Sequence, residues 1–413
     1  MTIAVIGQGY IGLPTALVLA DNGNDVIGVD YDEEKIAKLN AEKVTFSEEG
    51  LDELFQSAIK KNLKFQTEYP VVDMYIVSVP TPYKDDNKRV DPKYLVAATE
   101  TIAKVAPKGA IQVIESTISP GVIDEYVRPT LEKNGRSIGE DIHIAHAPER
   151  IIPGNMINEL YHNSRTIGAD DPEVAKEVKA VYQTFCKGEI IITDIRTAEI
   201  SKVVENTFRD INIAYANELS RICRRAGVDV YEVIDVANHH PRVNILNPGP
   251  GVGGHCIPVD PWFLVGDYPE DANLIRQARE VNDAQPQYIW NLAQNDFSTV
   301  GIDENSTIGI YGLTYKENVD DIRMSPSLQL LKSLSAEEKS RIISYDPFVE
   351  RDIVDKQYHD FDKFLADSDA IIVMVNHKHI VNNADKLSDK VVFDTKNIET
   401  LKESSKHYFN LTK

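Results

Sequence analysis

The sequence predicts an α/β protein of two doubly wound domains joined by a long central helix. Three observations carry this. Apolar runs of strand length alternate with helix-length periodic segments towards both ends of the 413-residue chain. A glycine-rich turn follows the first such run, and between residues 197 and 238 no proline interrupts a helical periodicity.

Residues 3–6, Ile-Ala-Val-Ile, form a short strand that runs into Gly7-Gln8-Gly9-Tyr10-Ile11-Gly12, and residues 13–22 continue as a helix. A second strand, 25–29, ends at Asp30, 18 residues after Gly12. A strand, GxGxxG, a helix and an acidic strand end in this order mark a Rossmann-like dinucleotide turn. Gly7 permits the tight turn, Gly9 lets a pyrophosphate touch backbone, and Gly12 allows close helix packing, while the helix N-terminus offers unsatisfied N–H groups. Asp30 takes the ribose hydroxyls or, alternatively, caps the next helix. The acidic Asp30-Tyr31-Asp32 run repels a 2′-phosphate, so the expected cofactor is NAD rather than NADP. Strands at 74–79, 110–115 and 142–145 extend a parallel sheet, giving a first domain of residues 1–193.

Ligands of such sheets bind beyond the carboxyl ends of the strands. Thr81, in Val79-Pro80-Thr81-Pro82, and Thr117, in Glu115-Ser116-Thr117, are therefore candidates to line the nicotinamide side, or equally turn and cap residues. In the loop His146-Ala147-Pro148-Glu149-Arg150-Ile151, the acid and the guanidinium read either as an exposed ion pair or as a substrate contact.

Residues 194–300 form the central helical region. Lys202, Asn206 and Arg209, spaced i, i+4 and i+7, share one helix face; Glu199, Glu205 and Asp210 lie on others. That face is either a solvated stripe or a site for an anion or a reacting oxygen. The apolar stripe Ile211, Ala214, Tyr215, Leu219 and Ile222 suggests a homodimer or higher homo-oligomer. Gly249-Pro250-Gly251-Val252-Gly253-Gly254-His255-Cys256 then delivers one cysteine on a loop whose glycines allow close backbone approach to a ligand. It holds a buried thiol in a structural turn or presents a nucleophile.

Residues 301–413 begin afresh with strands at 307–311, 341–345, 370–375 and 391–394, a second doubly wound domain. It lacks a complete GxGxxG, yet Lys316, Arg323 and Lys396 stand on its strand-end loops, suited to phosphate.

The formal charge of −21, from 44 Lys and Arg against 65 Asp and Glu, argues against nucleic acid and anionic membrane as partners. Three cysteines, Cys186, Cys223 and Cys256, and no basic leader ahead of the first apolar run point to the reducing cytoplasm. His239-His240 and His255-Cys256 lack the spacing of a metal set, so no metal is expected.

A dinucleotide domain, a loop thiol, a helix-borne lysine and a second basic α/β domain fit oxidation of a primary alcohol through the aldehyde to the acid. Cys256 traps the aldehyde as a thiohemiacetal and carries the thioester that water opens, with Lys202, Asn206 and Asp260 handling protons and oxyanion charge. With the motifs at Gly7–Gly12 and Asp30, Thr81, Glu115-Ser116-Thr117, Pro148-Glu149-Arg150-Ile151, Lys202 with Asn206, Cys256 with Asp260, and Tyr315-Lys316 with Arg323, the chain resembles the UDP-glucose/GDP-mannose dehydrogenase family over nearly its whole length.

The resemblance implies an N-terminal NAD domain, a central dimerisation region and a C-terminal domain for the UDP moiety of a UDP-sugar. It makes Cys256 the nucleophile, Lys202 the acid/base, and Asn206 and Asp260 its assistants. Tyr10, Ile11, Asp30, Thr81, Thr117 and Arg323 would contact NAD. Arg150, Ile151, Lys202, Asn206, Arg209, His240, Arg242, Gly253, Tyr315, Lys316 and Lys396 would contact the sugar nucleotide. Within the family, the segments 205–214, 240–244 and 259–262 are similar to UDP-N-acetyl-D-mannosamine dehydrogenases, and UDP-glucose enzymes usually carry lysine where Val259 stands. UDP-N-acetylglucosamine or UDP-glucose as substrate is the near alternative. A two-electron β-hydroxyacid dehydrogenase, which needs no cysteine, is the remoter one, and a non-enzymatic sensor of NAD or a nucleotide sugar the remotest.

Overall fold

The computed structural model describes residues 2–84, 86–152 and 154–412. The chain divides into two compact units, residues 2–205 with 262–269, and residues 206–261 with 270–412. One boundary falls between Glu205 and Asn206, inside the continuous helix Ile195–Ala226, so the predicted central helix is a single element before the separate helix Val230–Asn238.

The first unit is built on an eight-stranded sheet: β1 Thr2–Ile6, β2 Asp25–Val29, β3 Leu63–Gln66, β4 Met74–Val77, β5 Ala110–Ile114, β6 Ile142–His146, β7 Arg165–Ala169 and β8 Ile190–Thr193, in the order β3-β2-β1-β4-β5-β6-β7-β8. Strands β4 and β5 are buried along their whole length, the mark of a sheet covered on both faces. The apolar positions of the helix Gly12–Asp21 pack on it with Ile3, Val5, Phe55 and Met74.

The expectation of a wholly parallel sheet to residue 193 is corrected at its far edge. Strand β7 runs antiparallel to β6, with β8 parallel to β7. Among the described residues the β6–β7 connection holds one helix, Met156–His162, about 10 Å long, and the chain enters β7 without having returned to the start of the sheet. The pairing of Ala145 with Ala169 and of His146 with Gly168, extended by three residues, sets Arg165 opposite Glu149.

The second unit repeats the plan with six parallel strands: β9 Ile308–Tyr311, β10 Ile342–Tyr345, β11 Gln357–Tyr358, β12 Ala370–Val373, β13 Val391–Asp394 and β14 His407–Asn410, ordered β11-β10-β9-β12-β13-β14. The correspondence extends to the backbone. Gly7 after β1 has φ +93° and Gly312 after β9 has φ +92°. A side chain on either would meet the segment following the neighbouring strand, Ser78 O at 2.6 Å and Val375 Cβ at 2.7 Å. Asp30 ends β2 and accepts the Gln8 N–H; Asp346 ends β10 and accepts the Leu313 and Thr314 N–H groups. Among the described residues no helix is long and apolar enough to cross a membrane.

Gly312→Ala should lower stability by at least about 2 kcal/mol, from left-handed backbone strain and overlap with Val375. The check is the thermal unfolding midpoint; an unchanged value would show that the turn relaxes freely.

Candidate active site

The glycine turn of the first unit fits a bound dinucleotide by its open and closed spaces. A Cβ on Gly12 would lie 1.8 Å from Gly7 O, so helix and turn are in backbone contact there, whereas a Cβ on Gly9 would meet nothing within 4 Å. The buried Asp30 carboxylate accepts from Gln8 N at 2.8 Å and Asp32 N at 3.1 Å and pairs with Lys35 at 2.8 Å. The helix Glu33–Asn40 is capped by Asp32, which accepts from Glu34 N and Lys35 N, so the capping alternative for Asp30 is ruled out. Tyr10 stacks on Phe46 at 4.3 Å between ring centroids, and Ile11 stands at the N-cap of the first helix.

Thr81 is buried and donates to Thr117 O at 2.5 Å, while Ser116 Oγ donates to Val79 O at 2.7 Å. The loops after β4 and β5 are thereby tied together. Neither threonine caps a helix, since the following helical segments begin at Lys93 and Ile123.

Glu149 and Arg150 do not form the ion pair that their adjacency suggested. Arg150 Nε bonds Glu205 at 2.7 Å and its Nη2 donates to Thr166 at 3.1 Å; Glu149 pairs with Arg165 at 2.5 Å and accepts the Arg150 N–H at 2.7 Å. The Ile151 side chain is buried in the core.

Beneath this loop lies a buried group whose partners the sequence, which showed Glu115 only as part of the Glu115-Ser116-Thr117 turn, did not reveal. Glu115 accepts from Ser78 Oγ at 2.6 Å, Tyr182 OH at 3.0 Å and Thr15 Oγ1 at 3.2 Å, with Arg165 Nη1 4.0 Å away. Burial first, then the Glu149 charge, pushes the Glu115 carboxyl up to about 7, despite Arg165 and its hydrogen bonds. Burial likewise holds His146 down to about 3, a neutral imidazole whose Nδ1 contacts Ile114 O at 2.8 Å. The antiparallel entry of β7 is what brings Arg165 here, and sequence spacing does not show it.

On the long helix Lys202 is 5% exposed, so the solvated-stripe reading fails for it. Glu199 is buried too and accepts the Gly121 and Ile123 N–H groups. Arg209 is exposed, as are His240 and Arg242 in the turn after Val230–Asn238.

In the second unit, residues 50 and more apart converge. Asn206 Nδ2 donates to Asp260 Oδ2 at 2.6 Å. Cys256 is exposed, which rules out the buried-thiol reading, and its carbonyl accepts the Asp260 N–H at 2.9 Å. Tyr315 lies against Gly253 and Gly254, where a Cβ would approach its side chain to 2.6 and 2.9 Å. Arg323 is forked onto Asp321, with Nε 2.9 Å from Oδ1 and Nη2 2.5 Å from Oδ2, and its carbonyl accepts the Gly254 N–H at 2.9 Å. The Lys316 carbonyl accepts from Thr314 Oγ1. Lys396 is exposed in the turn after β13, and its Nζ would lie 3.7 Å from a Cβ on Gly249. A cavity of about 830 Å³ beside β10 and β11, lined by Arg341, Lys356, His359 and Lys363 among others, contains none of these residues. Among the described residues no group of three or more His, Cys, Asp or Glu is placed to hold a metal ion.

Three sequence profiles of one family match the chain in order. They are the NAD binding domain over residues 1–186, the central domain over 196–284 and the UDP binding domain over 309–400. The chain belongs to the UDP-glucose/GDP-mannose dehydrogenase family. Within it, the chain is 42% identical over 408 residues to a UDP-N-acetyl-D-mannosamine dehydrogenase of Methanococcus maripaludis, covering 96% of this chain and 92% of that one. It is 40% identical to an NDP-N-acetyl-D-galactosaminuronic acid dehydrogenase of Ralstonia nicotianae, covering 97% of each. The native structure of the UDP-N-acetyl-mannosamine dehydrogenase from Staphylococcus aureus superposes with TM-score 0.88 at 40% identity, over 100% of this chain and 98% of that one. As a member of this dehydrogenase family the chain uses NAD, and the open space at Gly9, with Asp30 beside the turn, accommodates it.

The buried Glu115 gives the family fold a pH signature. Its pKa of about 7 lies above the ordinary 4.5, so its contribution to stability is full below pH 4.5 and is lost as pH rises to about 7. The gap in unfolding free energy from urea titration between wild type and Glu115→Gln should therefore change across that window, by a few kcal/mol in all, and level off above it. A gap constant from pH 5 to 8 would contradict the shift.

Proposed function

We propose that this chain oxidises UDP-N-acetyl-D-mannosamine at C6 to UDP-N-acetyl-D-mannosaminuronate in two successive two-electron steps. The observation that carries the reading is the exposed Cys256 on its glycine loop, with the Asn206–Asp260 pair on the same unit. Similarity to UDP-N-acetyl-D-mannosamine dehydrogenases over almost the full length supports the sugar.

NAD supplies the hydride acceptor for both oxidations. Gly7, Gly9, Gly12 and Asp30 hold it, with Tyr10, Ile11, Thr81, Thr117 and Arg323 as further contacts. The Cys256 thiolate adds to the C6 aldehyde, giving a thiohemiacetal. At the next oxidation level the carbon is a thioester, which water opens to release the carboxylate and return the thiol. Lys202 moves the proton of the C6 hydroxyl. One N–H of the Asn206 amide is committed to Asp260, and the other is the donor we assign to the charge developing on the C6 oxygen. Arg150, Ile151, Arg209, His240, Arg242, Gly253, Tyr315, Lys316 and Lys396 are assigned to the sugar nucleotide. We retain three functional regions, 1–193 for NAD, 194–300 for dimerisation and the catalytic groups, and 301–413 for UDP.

A second reading, an N-acetylgalactosamine or other N-acetylhexosamine nucleotide as substrate, is favoured by the similarity to the Ralstonia enzyme. We further propose a cytoplasmic homodimer. Phe208, Tyr215 and Ile222, seven residues apart along the long helix, are 69%, 53% and 59% exposed, an apolar line suited to a second copy.

Incubated with NAD and UDP-N-acetylmannosamine, the wild type should form two NADH per sugar, and Cys256→Ser should lose acid formation by at least about 100-fold. One NADH per sugar, or full turnover of the serine variant, would favour a two-electron dehydrogenase. A Tyr215→Glu variant should shift to monomer in light scattering; an unchanged mass would place the interface elsewhere.

A further inference from the structure

Six side chains beneath the entry to the cysteine loop form one hydrogen-bonded network inside the second unit. Asp210 accepts from Arg279 Nη1 at 2.5 Å and from Asn282 Nδ2 at 2.9 Å. Asn217, two helical turns beyond Asp210, donates from Nδ2 to Asn282 Oδ1 at 3.0 Å and accepts the Gly249 N–H on Oδ1 at 2.9 Å. From the other side Gln285 Nε2 donates to the Gly249 carbonyl at 3.0 Å, and Arg221 Nη2 donates to Gln285 Oε1 at 2.6 Å. Both backbone groups of one loop glycine are thus held by two amides, each 0% exposed.

The amide orientations leave no choice. Asn282 Nδ2 also donates to the Asp210 backbone carbonyl at 3.0 Å, a group that only accepts, so Asn282 turns Nδ2 to Asp210 and shows Oδ1 to Asn217. Asn217 must then give Nδ2 to Asn282, leaving Oδ1 for the Gly249 N–H. Arg221 only donates, so Gln285 receives it on Oε1 and offers Nε2 to the Gly249 carbonyl. A buried network fixed by charges at both ends specifies one arrangement, and every break leaves a polar group unsatisfied.

The far end of the loop is also held. Gly254 N donates to Arg323 O at 2.9 Å, Gly254 lies against the Tyr315 ring, and the Cys256 carbonyl accepts the Asp260 N–H. The loop is thus pinned at Gly249 and at Gly254 with only residues 250–253 between, and Cys256 stands two residues past the second anchor, so the two pins together set the position of the thiol.

We infer that Asn217 and Gln285 are positioning residues of the reaction: by clamping both backbone groups of Gly249 they set where the loop presents the Cys256 thiol. The inference rests on Cys256 being the nucleophile, and it goes beyond that role because both amides are fully buried and act through the Gly249 backbone. A displacement of about 1 Å at a reacting atom costs roughly 100-fold in rate, so the thiol-dependent half of the reaction suffers first.

The test uses full-length Asn217→Ala and Gln285→Ala. Alkylation of Cys256 by iodoacetamide is followed by mass spectrometry, together with NADH formed per UDP-sugar, kcat, and KM for NAD. Expected are an alkylation rate changed several-fold, NADH per sugar falling from two towards one with aldehyde released, kcat for acid reduced about 10- to 100-fold, and KM for NAD within about twofold. Folded variants with wild-type alkylation and stoichiometry would overturn the inference. Should both variants fail to fold, hydrogen exchange at the wild-type Gly249 amide decides: protection supports the clamp, and exchange as fast as an exposed loop amide overturns it. A wild type that forms no NADH from any UDP-sugar defeats the proposed activity, while alkylation and exchange still judge the clamp.

Discussion

The structure depends on strand direction. Strands β1 to β6 are parallel, as are β9 to β14, so the chain leaves every one of them at the same edge of its sheet. The glycine turn after β1, the tied loops after β4 and β5 and the Glu149–Arg150 loop after β6 consequently gather at one edge of the first unit. In the second unit the loop bearing Tyr315, Lys316 and Arg323 and the turn bearing Lys396 follow β9 and β13 in the same way. The two glycines with φ near +92° stand at corresponding places, where the chain turns sharply enough for the next segment to lie against the neighbouring strand.

Breaking that rule once has chemical consequences. Because β7 enters antiparallel, Arg165 lies beside Glu149 and near Glu115, and one guanidinium serves two buried carboxylates. Burial, and after it the Glu149 charge, raises the Glu115 carboxyl to about 7, more than the shared guanidinium offsets. Asp210 with Arg279 is a second buried pair, in which burial still pushes the Asp210 carboxyl up despite Arg279 and Asn282 pulling it down. In both, what the burial of charge secures is geometry: a loop beyond β6 in one unit and the entry to the cysteine loop in the other.

Much of the molecule was legible in the chain. The GxGxxG turn with Asp30, strands β1, β2, β4 to β6, β9, β10, β12 and β13 and the proline-free helix follow from local pattern, because strand and helix periods and glycine tolerance are local properties. The short edge strands β3, β8, β11 and β14 were not legible, since four or fewer half-buried residues carry little alternation, and neither was the buried β7 beside β8. Nor were Glu115, Arg165, Asn217 and Gln285, which look like ordinary strand and helix residues until the fold closes over them.

The sequence by itself determined the fold class, the cofactor turn, the cysteine loop and the Lys202–Asn206 helix face, because each is written in residues close together along the chain. Only the tertiary structure decided that Arg150 meets Glu205 rather than Glu149, that Asn206 reaches Asp260, and that Asn217 and Gln285 close on Gly249. Such pairings join residues 32 to 55 positions apart, and their partners are set by strand direction and buried hydrogen-bond satisfaction, which no local pattern encodes.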